Sequence, residues 1–367
     1  MVGRTAEAAC NATSVDRVFV STDDPEIADI AREYRAEIIE RPAALSGDDA
    51  SSESALLHAL DHLDEAKDSQ PERLVFLQCT SPFTRPADID GAVATFDAND
   101  ADVAFTATPF HGFVWHRADD GTVTGANHDA DTPRQRRQDR PDELLETGAA
   151  YVLDVPGFRD AEHRFFGRVV PHEVPEARSL EIDTPSDLHR ARALHAEFAE
   201  QDRRAALPAS IEAVVFDFDG VFTDNRVLVS QDETEAVVCD RGDGKGIELL
   251  RETDCSLLVL SSEVNPVVKA RTRKLNLATV HGIDDKPSVL AEWLDDHDVQ
   301  WKHTIFVGND VNDIGCLRRA GCGVAVADAY EDARSAADLV LERRGGHGAV
   351  RELCDLVLSS SSSLSSA

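Results

Sequence analysis

The run Val214-Val215-Phe216-Asp217-Phe218-Asp219-Gly220-Val221-Phe222-Thr223-Asp224 constrains the fold more than any other stretch of this chain. It reads as a buried strand that ends on two aspartates two residues apart. The pattern recurs: residues 257–260 run apolar into Ser261, and residues 304–307 run into Gly308-Asn309-Asp310-Val311-Asn312-Asp313. Between these two runs Lys286 precedes Pro287, a favoured first helical residue, and the following Val289, Leu290, Trp293 and Leu294 keep helical spacing. In an open parallel sheet ligands bind beyond the carboxyl ends of the strands, so these polar residues are expected at one site.

A carboxylate nucleophile, a second carboxyl, a hydroxyl donor, a lysine and further acids around Mg2+ form a set able to transfer a phosphoryl group through an aspartyl-phosphate. In order and spacing the four motifs resemble the haloacid dehalogenase superfamily of phosphohydrolases. The resemblance makes Asp217 the nucleophile and a metal ligand, and Asp219 the general acid and base, also near the metal. Ser261 would hydrogen-bond the phosphoryl group, Lys286 would balance its charge, and Asp310 would complete the metal site, with Asp313 as alternative ligand or supporting residue. About 40 residues separate Asp219 from Ser261 and about 25 separate Ser261 from Lys286, too few for an inserted cap domain. The site is therefore expected to be capless, with residues 227–229 and 236–238 forming a hairpin flap. The stretch Asp240-Arg241-Gly242-Asp243-Gly244-Lys245-Gly246, with Arg241 as a candidate substrate contact, and the late Gly345-Gly346-His347-Gly348-Ala349-Val350-Arg351-Glu352 are similar to phosphatases of the 3-deoxy-octulosonate 8-phosphate type. That resemblance implies a homotetramer in which a neighbouring subunit closes each site, the Gly-rich tail reaching in. Two departures stand out: Ser261-Ser262-Glu263 replaces the usual Thr-Gly-Arg, and Asn309 stands where phosphatases commonly carry aspartate.

With 367 residues the chain is expected to hold two domains of ordinary size. Sixty-nine Asp and Glu against 37 Lys and Arg give a net charge of -32, which argues against nucleic-acid or anionic-membrane partners. The densest basic run, residues 134–140, is interrupted by Gln and Asp. Lysine occurs only at positions 67, 245, 269, 274, 286 and 302, so the surface is acidic and lysine-poor, as expected of adaptation to high salt. Seven cysteines without a Cys-x-x-Cys pair suggest neither a disulfide framework nor a zinc site and fit a reducing cytoplasm. No apolar run approaches 18 residues, so a soluble protein is expected. The boundary is placed after residue 204, with a linker at 205–210, a second domain at 211–358 and a disordered Ser-rich tail at 359–367.

The first domain, residues 1–204, also reads as α/β, with strands near residues 17–20, 73–78, 102–107 and 149–153; both halves are expected to be doubly wound. Several stretches there are familiar in combination: Val20-Ser21-Thr22-Asp23-Asp24, Arg41-Pro42 with Leu45 and Asp48, Leu77-Gln78-Cys79-Thr80-Ser81-Pro82, Arg136-Arg137-Gln138, Glu146-Thr147-Gly148-Ala149-Ala150-Tyr151, and Glu181-Ile182-Asp183-Thr184-Pro185-Ser186-Asp187. Together they resemble the N-acylneuraminate cytidylyltransferases, of glycosyltransferase-A-like fold, which join CTP to a sialic or related nonulosonic acid. By that resemblance Glu181 and Asp183 would bind Mg2+, with glutamate in place of the usual first aspartate. Gln78, Thr80 and Ser81 would line the sugar-acid pocket, and Arg137 and Gln138 would lie on a loop near it. These enzymes open with a strand and a basic, Gly-rich loop around the CTP phosphates. Met1-Val2-Gly3-Arg4 reads as already inside the first helix, beyond that clamp, so weak CTP binding is expected of the sequence as it stands. A phosphatase and a cytidylyltransferase for one sugar acid form a coherent pair, since dephosphorylation yields the acid that CTP then activates.

Overall fold

The computed structural model describes residues 1–47, 50–65 and 71–363. Asp48 and Lys67 lie outside the described residues. The chain forms two compact units that divide between Leu194 and His195, within the helix Pro185–Ala205 rather than after it. Leu207, in the expected linker, is buried in the core of the second unit.

In the first unit, strands β1 (Phe19–Thr22) and β2 (Glu37–Glu40) pair in parallel across the helix Pro25–Glu33. Asp24 starts that helix by accepting the N–H groups of Glu26 and Ile27 at 2.8 and 3.3 Å. Then come β3 (Arg73–Leu77), β4 (Val103–Phe110), a hairpin of β5 (Trp115–Arg117) and β6 (Val123–Gly125), the long β7 (Glu143–Asp154) and β8 (Val169–Glu173). The main sheet runs β3-β7-β4-β8, with β7 antiparallel to both neighbours and β4 parallel to β8. Val103, Tyr151, Leu153 and Phe158 form one core cluster and Ala92, Ala104 and Val152 another.

The second unit carries β9 (Ala213–Phe216), a hairpin of β10 (Leu228–Val229) and β11 (Glu235–Ala236), then β12 (Ser256–Ser261), β13 (Ala278–His281), β14 (Thr304–Gly308), β15 (Cys322–Ala325) and β16 (Leu339–Val340). Its six-stranded sheet, ordered β13-β12-β9-β14-β15-β16, is parallel throughout. Every residue of β9 and β14 is buried, which explains the unbroken apolar runs: strands covered on both faces cannot alternate. Chain order reverses between β9 and β14, and the crevice at such a reversal is where open α/β sheets bind ligands.

The helix Ala349–Ser363 packs on the helix Arg241–Leu250, and Gly246 makes the approach possible: a Cβ there would lie 3.1 Å from both Arg351 Cα and Cys354 Cβ. This helix corrects the expected disorder from residue 359 onward, because it continues to Ser363. Ser359 and Ser360 donate their hydroxyls to the carbonyls of Leu356 and Val357, so a serine tract prolongs a helix already anchored by the buried Leu353, Cys354 and Val357. Residues 364–367 lie outside the described residues. Among the described residues no helix is long and apolar enough to cross a membrane.

Candidate active site

Asp217 follows β9, and its backbone N–H reaches the carbonyl of Val307 on β14, so the sheet holds it at the crevice. Its Oδ1 lies 2.8 Å from Lys286 Nζ, and the same ammonium lies 2.7 Å from Asp313 Oδ1. Lys286 has no exposed surface and opens the helix Lys286–Asp296, with Pro287 next to it as expected. Burial pulls the ammonium toward deprotonation, but the carboxylates of Asp217 and Asp313 outweigh it and the net displacement is upward. Asp217 is pushed up by burial and by Asp313, and Lys286 pulls it back. Two acids around one buried lysine are tolerable only because every charge has a partner at contact distance.

Asp219, half-buried, joins Asp217 and Ser261 in a cleft of about 260 Å³ completed by Ser262, Glu263, Val264 and Asn312. Burial and then Glu263 and Glu235 hold the Asp219 carboxyl above its ordinary range. Glu263 accepts the N–H groups of Val264 and Asn265 at 2.7 and 2.9 Å and so shapes the loop after β12. The hairpin of β10 and β11 reaches this rim, where Asn265 hydrogen-bonds Glu235. Val227, Leu228, Val229 and Val238 of the hairpin region are exposed, as are Val264 and Val311. Arg241 is exposed at the start of its helix and is not part of the cleft. A larger groove of about 410 Å³ in the same unit lies away from this chemistry, and its charges are spent on one another, Arg203 with Glu342 and Glu352 and Arg351 with Asp355.

The Gly-rich segment at 345–348 corrects a second expectation. It packs on the turn of its own chain that carries Asp219 instead of extending outward. A Cβ on Gly345 would lie 1.8 Å from the carbonyl oxygen of Gly220, and Gly346, with φ at +69°, donates its N–H to Val221 at 3.0 Å. Only glycine permits this backbone-on-backbone contact. Gly220 in turn admits the amide of Asn309, which would lie 2.0 Å from a Cβ there.

The oxygens after β14 divide by partner. Both Asp313 oxygens are engaged, Oδ1 by Lys286 and Oδ2 by the N–H groups of Asn309 and Asp310 at 2.8 and 3.3 Å. Asp310, partly exposed, turns Oδ1 back to cap the next turn, accepting Val311 N–H at 2.6 Å. Asn309 is 5% exposed and its Oδ1 has no hydrogen-bond partner. Among the described residues no three His, Cys, Asp or Glu side chains form a ready metal-binding group. The Asp217 carboxylate and the orphaned Asn309 oxygen are nonetheless the hard donors Mg2+ prefers, so the residues fit that ion. Asn309 entered the sequence reading only as a departure; its position directly behind the strand-end glycine was the available signal.

In the first unit, Gln78, Thr80 and Glu181 come together at the end of β3. Thr80 Oγ1 donates to Glu181 Oε1 at 3.2 Å, and Ile182 N–H reaches the Thr80 carbonyl at 2.9 Å. Gly148, with φ at +67°, leaves room for both neighbours: a Cβ there would meet Glu181 Oε1 at 2.9 Å and Gln78 Oε1 at 3.2 Å. Ser81 is buried and donates to the Thr147 carbonyl at 3.3 Å, a supporting bond behind the cluster. Asp183 is exposed, and Arg137 and Gln138 lie on the exposed turn Arg137–Asp139, outside these contacts.

Comparison with known proteins matches residues 1–146 to the cytidylyltransferase family and residues 263–353 to haloacid dehalogenase-like hydrolases. The N-acylneuraminate cytidylyltransferase of Oncorhynchus mykiss is 28% identical across 98% of this chain and 82% of its own length. The 3-deoxy-D-manno-octulosonate 8-phosphate phosphatase of Haemophilus influenzae is 30% identical over 150 residues, 41% of this chain and 83% of its own. Among solved structures, a haloacid dehalogenase family hydrolase of Streptomyces avermitilis is 45% identical, covering 42% of this chain and 89% of that one with a TM-score of 0.41. The 3-deoxy-D-manno-octulosonate 8-phosphate phosphatase of Moraxella catarrhalis, solved with magnesium, phosphate and its sugar acid, is 26% identical over 45% of this chain and 91% of that one, with a TM-score of 0.41.

Proposed function

Since the chain belongs over its C-terminal domain to the 3-deoxy-D-manno-octulosonate 8-phosphate phosphatase family and carries a cytidylyltransferase-family domain before it, we propose that it releases a nonulosonic acid from its phosphate and activates that acid with CTP. The observation that carries the phosphatase half is the buried Asp217–Lys286–Asp313 arrangement at the sheet's reversal point, with Asp219 beside it in the cleft. In this reading an Asp217 oxygen attacks phosphorus as the ester P–O bond breaks, and the Asp219 carboxyl gives its proton to the departing sugar oxygen. The Asp219 carboxylate then takes a proton from water as that water attacks phosphorus, the Asp217–phosphorus bond breaks, and inorganic phosphate leaves. The raised proton affinity of Asp219 suits the first of these roles. Ser261 hydrogen-bonds the phosphoryl oxygens, and Lys286 and Asp313 hold the nucleophile in line. Mg2+, when bound beside Asp217 and the oxygens after β14, supplies positive charge against the phosphoryl group.

In the first unit Gln78, Thr80 and Glu181 bind and orient the sugar acid and, with Asp183, hold the divalent ion of nucleotidyl transfer. Arg137 and Gln138 approach with the substrate or with a second subunit. The exposed valines and leucine of the hairpin region support burial of the rim against further copies, in a cytoplasmic homotetramer adapted to high salt. Light scattering in molar salt checks the assembly; a monomer at micromolar concentration overturns it.

The phosphatase reading is tested with the full chain, Mg2+ and a panel of sugar-acid phosphates plus an aryl phosphate. Asp217→Asn is expected to lower kcat by about two to three orders of magnitude. A fully folded wild type inert toward the whole panel refutes the reading.

A further inference from the structure

Resting on the phosphatase reading, we infer that Arg203 and Glu352 are positioning residues of the phosphatase site: their ion pair clamps a strap, residues 342–346, onto the turn that carries Asp219 and so places the general acid. The need for an outside hold comes from Asp219 itself. Among the described residues its carboxylate accepts no hydrogen bond, so its direction is set by the backbone turn that carries it. Phe222 N–H closes that turn on the Phe218 carbonyl at 2.9 Å and Gly220 N–H donates to Thr223 Oγ1 at 3.1 Å, while Gly345 and Gly346 lie directly against it.

The two glycines are kept there by their neighbours in the chain. Glu352, in the first turn of the helix Ala349–Ser363, accepts Glu342 N–H with Oε1 at 2.9 Å and Arg343 N–H with Oε2 at 2.8 Å. Both oxygens are thus committed to the backbone just before the glycines. Arg203 completes the carboxylate, its Nη2 pairing with Glu352 Oε1 and its Nη1 with Glu342 Oε1 at 3.0 Å. After β15, Ala327 N–H donates to the Arg343 carbonyl at 3.1 Å and Asp328 Oδ1 accepts Gly345 N–H at 3.0 Å, which holds the strap a second time. The Arg203 and Glu352 side chains are 16% and 12% exposed, so water screens their pair far less than a surface one. Truncating Arg203 leaves a mostly buried carboxylate without its cation, and Glu352 then gains by turning to solvent and releasing residues 342 and 343. Arg203 stands on the last turn of the helix Pro185–Ala205, whose start belongs to the first unit, so the helix that connects the two units ends on the residue that completes the clamp.

Misplacing a catalytic group by about 1 Å costs up to about 100-fold in rate. For a general acid the loss is selective. An alkyl oxygen needs the proton of Asp219 to depart, whereas dinitrophenolate leaves as the anion. Because kcat/KM covers the steps up to departure of the leaving group, it separates this role from the later attack of water.

The test is kcat/KM of the full chain with Mg2+ for a sugar-acid phosphate and for dinitrophenyl phosphate, together with amide hydrogen exchange of the free protein. Arg203→Leu and Glu352→Gln are each expected to lower the first at least about tenfold and to leave the second within about twofold. The double variant is expected to lose no more than the larger single loss, because the two residues act as one unit. Arg204→Leu, which removes an exposed pair with Glu200 on the same helix, should keep both rates. Exchange at residues 219–224 and 342–346 should quicken at least about tenfold in both single variants while β9 and β14 keep wild-type protection, which excludes general unfolding. Equal losses on the two phosphates, or unchanged exchange at 219–224, overturn the inference. An active wild type whose variants keep both rates sinks the clamp and leaves the reaction standing, whereas a wild type inert toward every ester refutes the phosphatase reading and the clamp's part in it.

Discussion

Replacing Lys286 by Met tests whether the buried lysine is the electrostatic keystone of the second unit. Met matches the aliphatic stem but leaves Asp217 and Asp313, 6% and 0% exposed at their side chains, facing each other without the cation that lies within 2.8 Å of both. Breaking a buried ion pair from one side costs about 3–5 kcal/mol. For a domain with an m-value of about 2 kcal/mol/M, that lowers the urea midpoint by about 1.5–2.5 M. Urea unfolding of the full chain, followed by the fluorescence of Trp293 and Trp301, reads this transition. The pH dependence has a definite sign. In the wild type Lys286 is raised, so its contribution is complete below the ordinary lysine pKa and is lost only as pH climbs through the higher folded value. In the variant Asp217 loses the group that pulled it down, so its carboxylate form is penalised above its raised pKa and relieved as pH falls through it. The deficit is therefore expected to be larger at pH 8 than at pH 5, and to persist in molar salt, which screens buried charges weakly. A deficit below about 1 kcal/mol at pH 8, or one equal at both pH values, refutes the reasoning.

Asp243 is fully buried, with Oδ1 accepting Arg351 N–H at 3.0 Å and Oδ2 unpartnered; burial pushes its carboxyl up to about 6. Ionisation then costs the native state up to about 3 kcal/mol, a penalty absent near pH 4 and complete above pH 6. Asp243→Asn is expected to gain stability on wild type over that interval in urea titrations, and a gain that does not change with pH counts against the assignment. Gly345→Ala places a methyl 1.8 Å from the Gly220 oxygen and 2.9 Å from that of Thr223. Phosphatase kcat should fall at least tenfold with circular dichroism unchanged, whereas Gly47→Ala, with nothing within 4 Å of the new methyl, should be neutral. An unaltered kcat in Gly345→Ala removes the strap from any role in placing Asp219.

The parallel sheet of the second unit was legible because strands buried on both faces write themselves as unbroken apolar runs, and because each run ends on the residue it delivers. Asp217, Ser261 and Lys286 were visible for that reason, as was the hairpin over the cleft. Gln78, Thr80 and Glu181 were named through the resemblance to cytidylyltransferases, in separate roles; that Thr80 meets Glu181, far away in sequence, was decided by the fold. The direction of β7, antiparallel to both neighbours, has no local signature: pairing sense depends on which strands meet, and residues far apart in sequence decide that. The same holds for the oxygens after β14. Four polar residues in the six-residue run 308–313 look interchangeable on paper, and only the fold hands Asp313 to Lys286, turns Asp310 onto its own backbone and leaves the Asn309 oxygen buried without a donor. The glycines at 345 and 346 likewise read as a loose, reaching tail, because composition records conformational freedom but not the surface against which it is used. Which partner a polar atom finds is settled by tertiary packing, where one hydrogen bond excludes another.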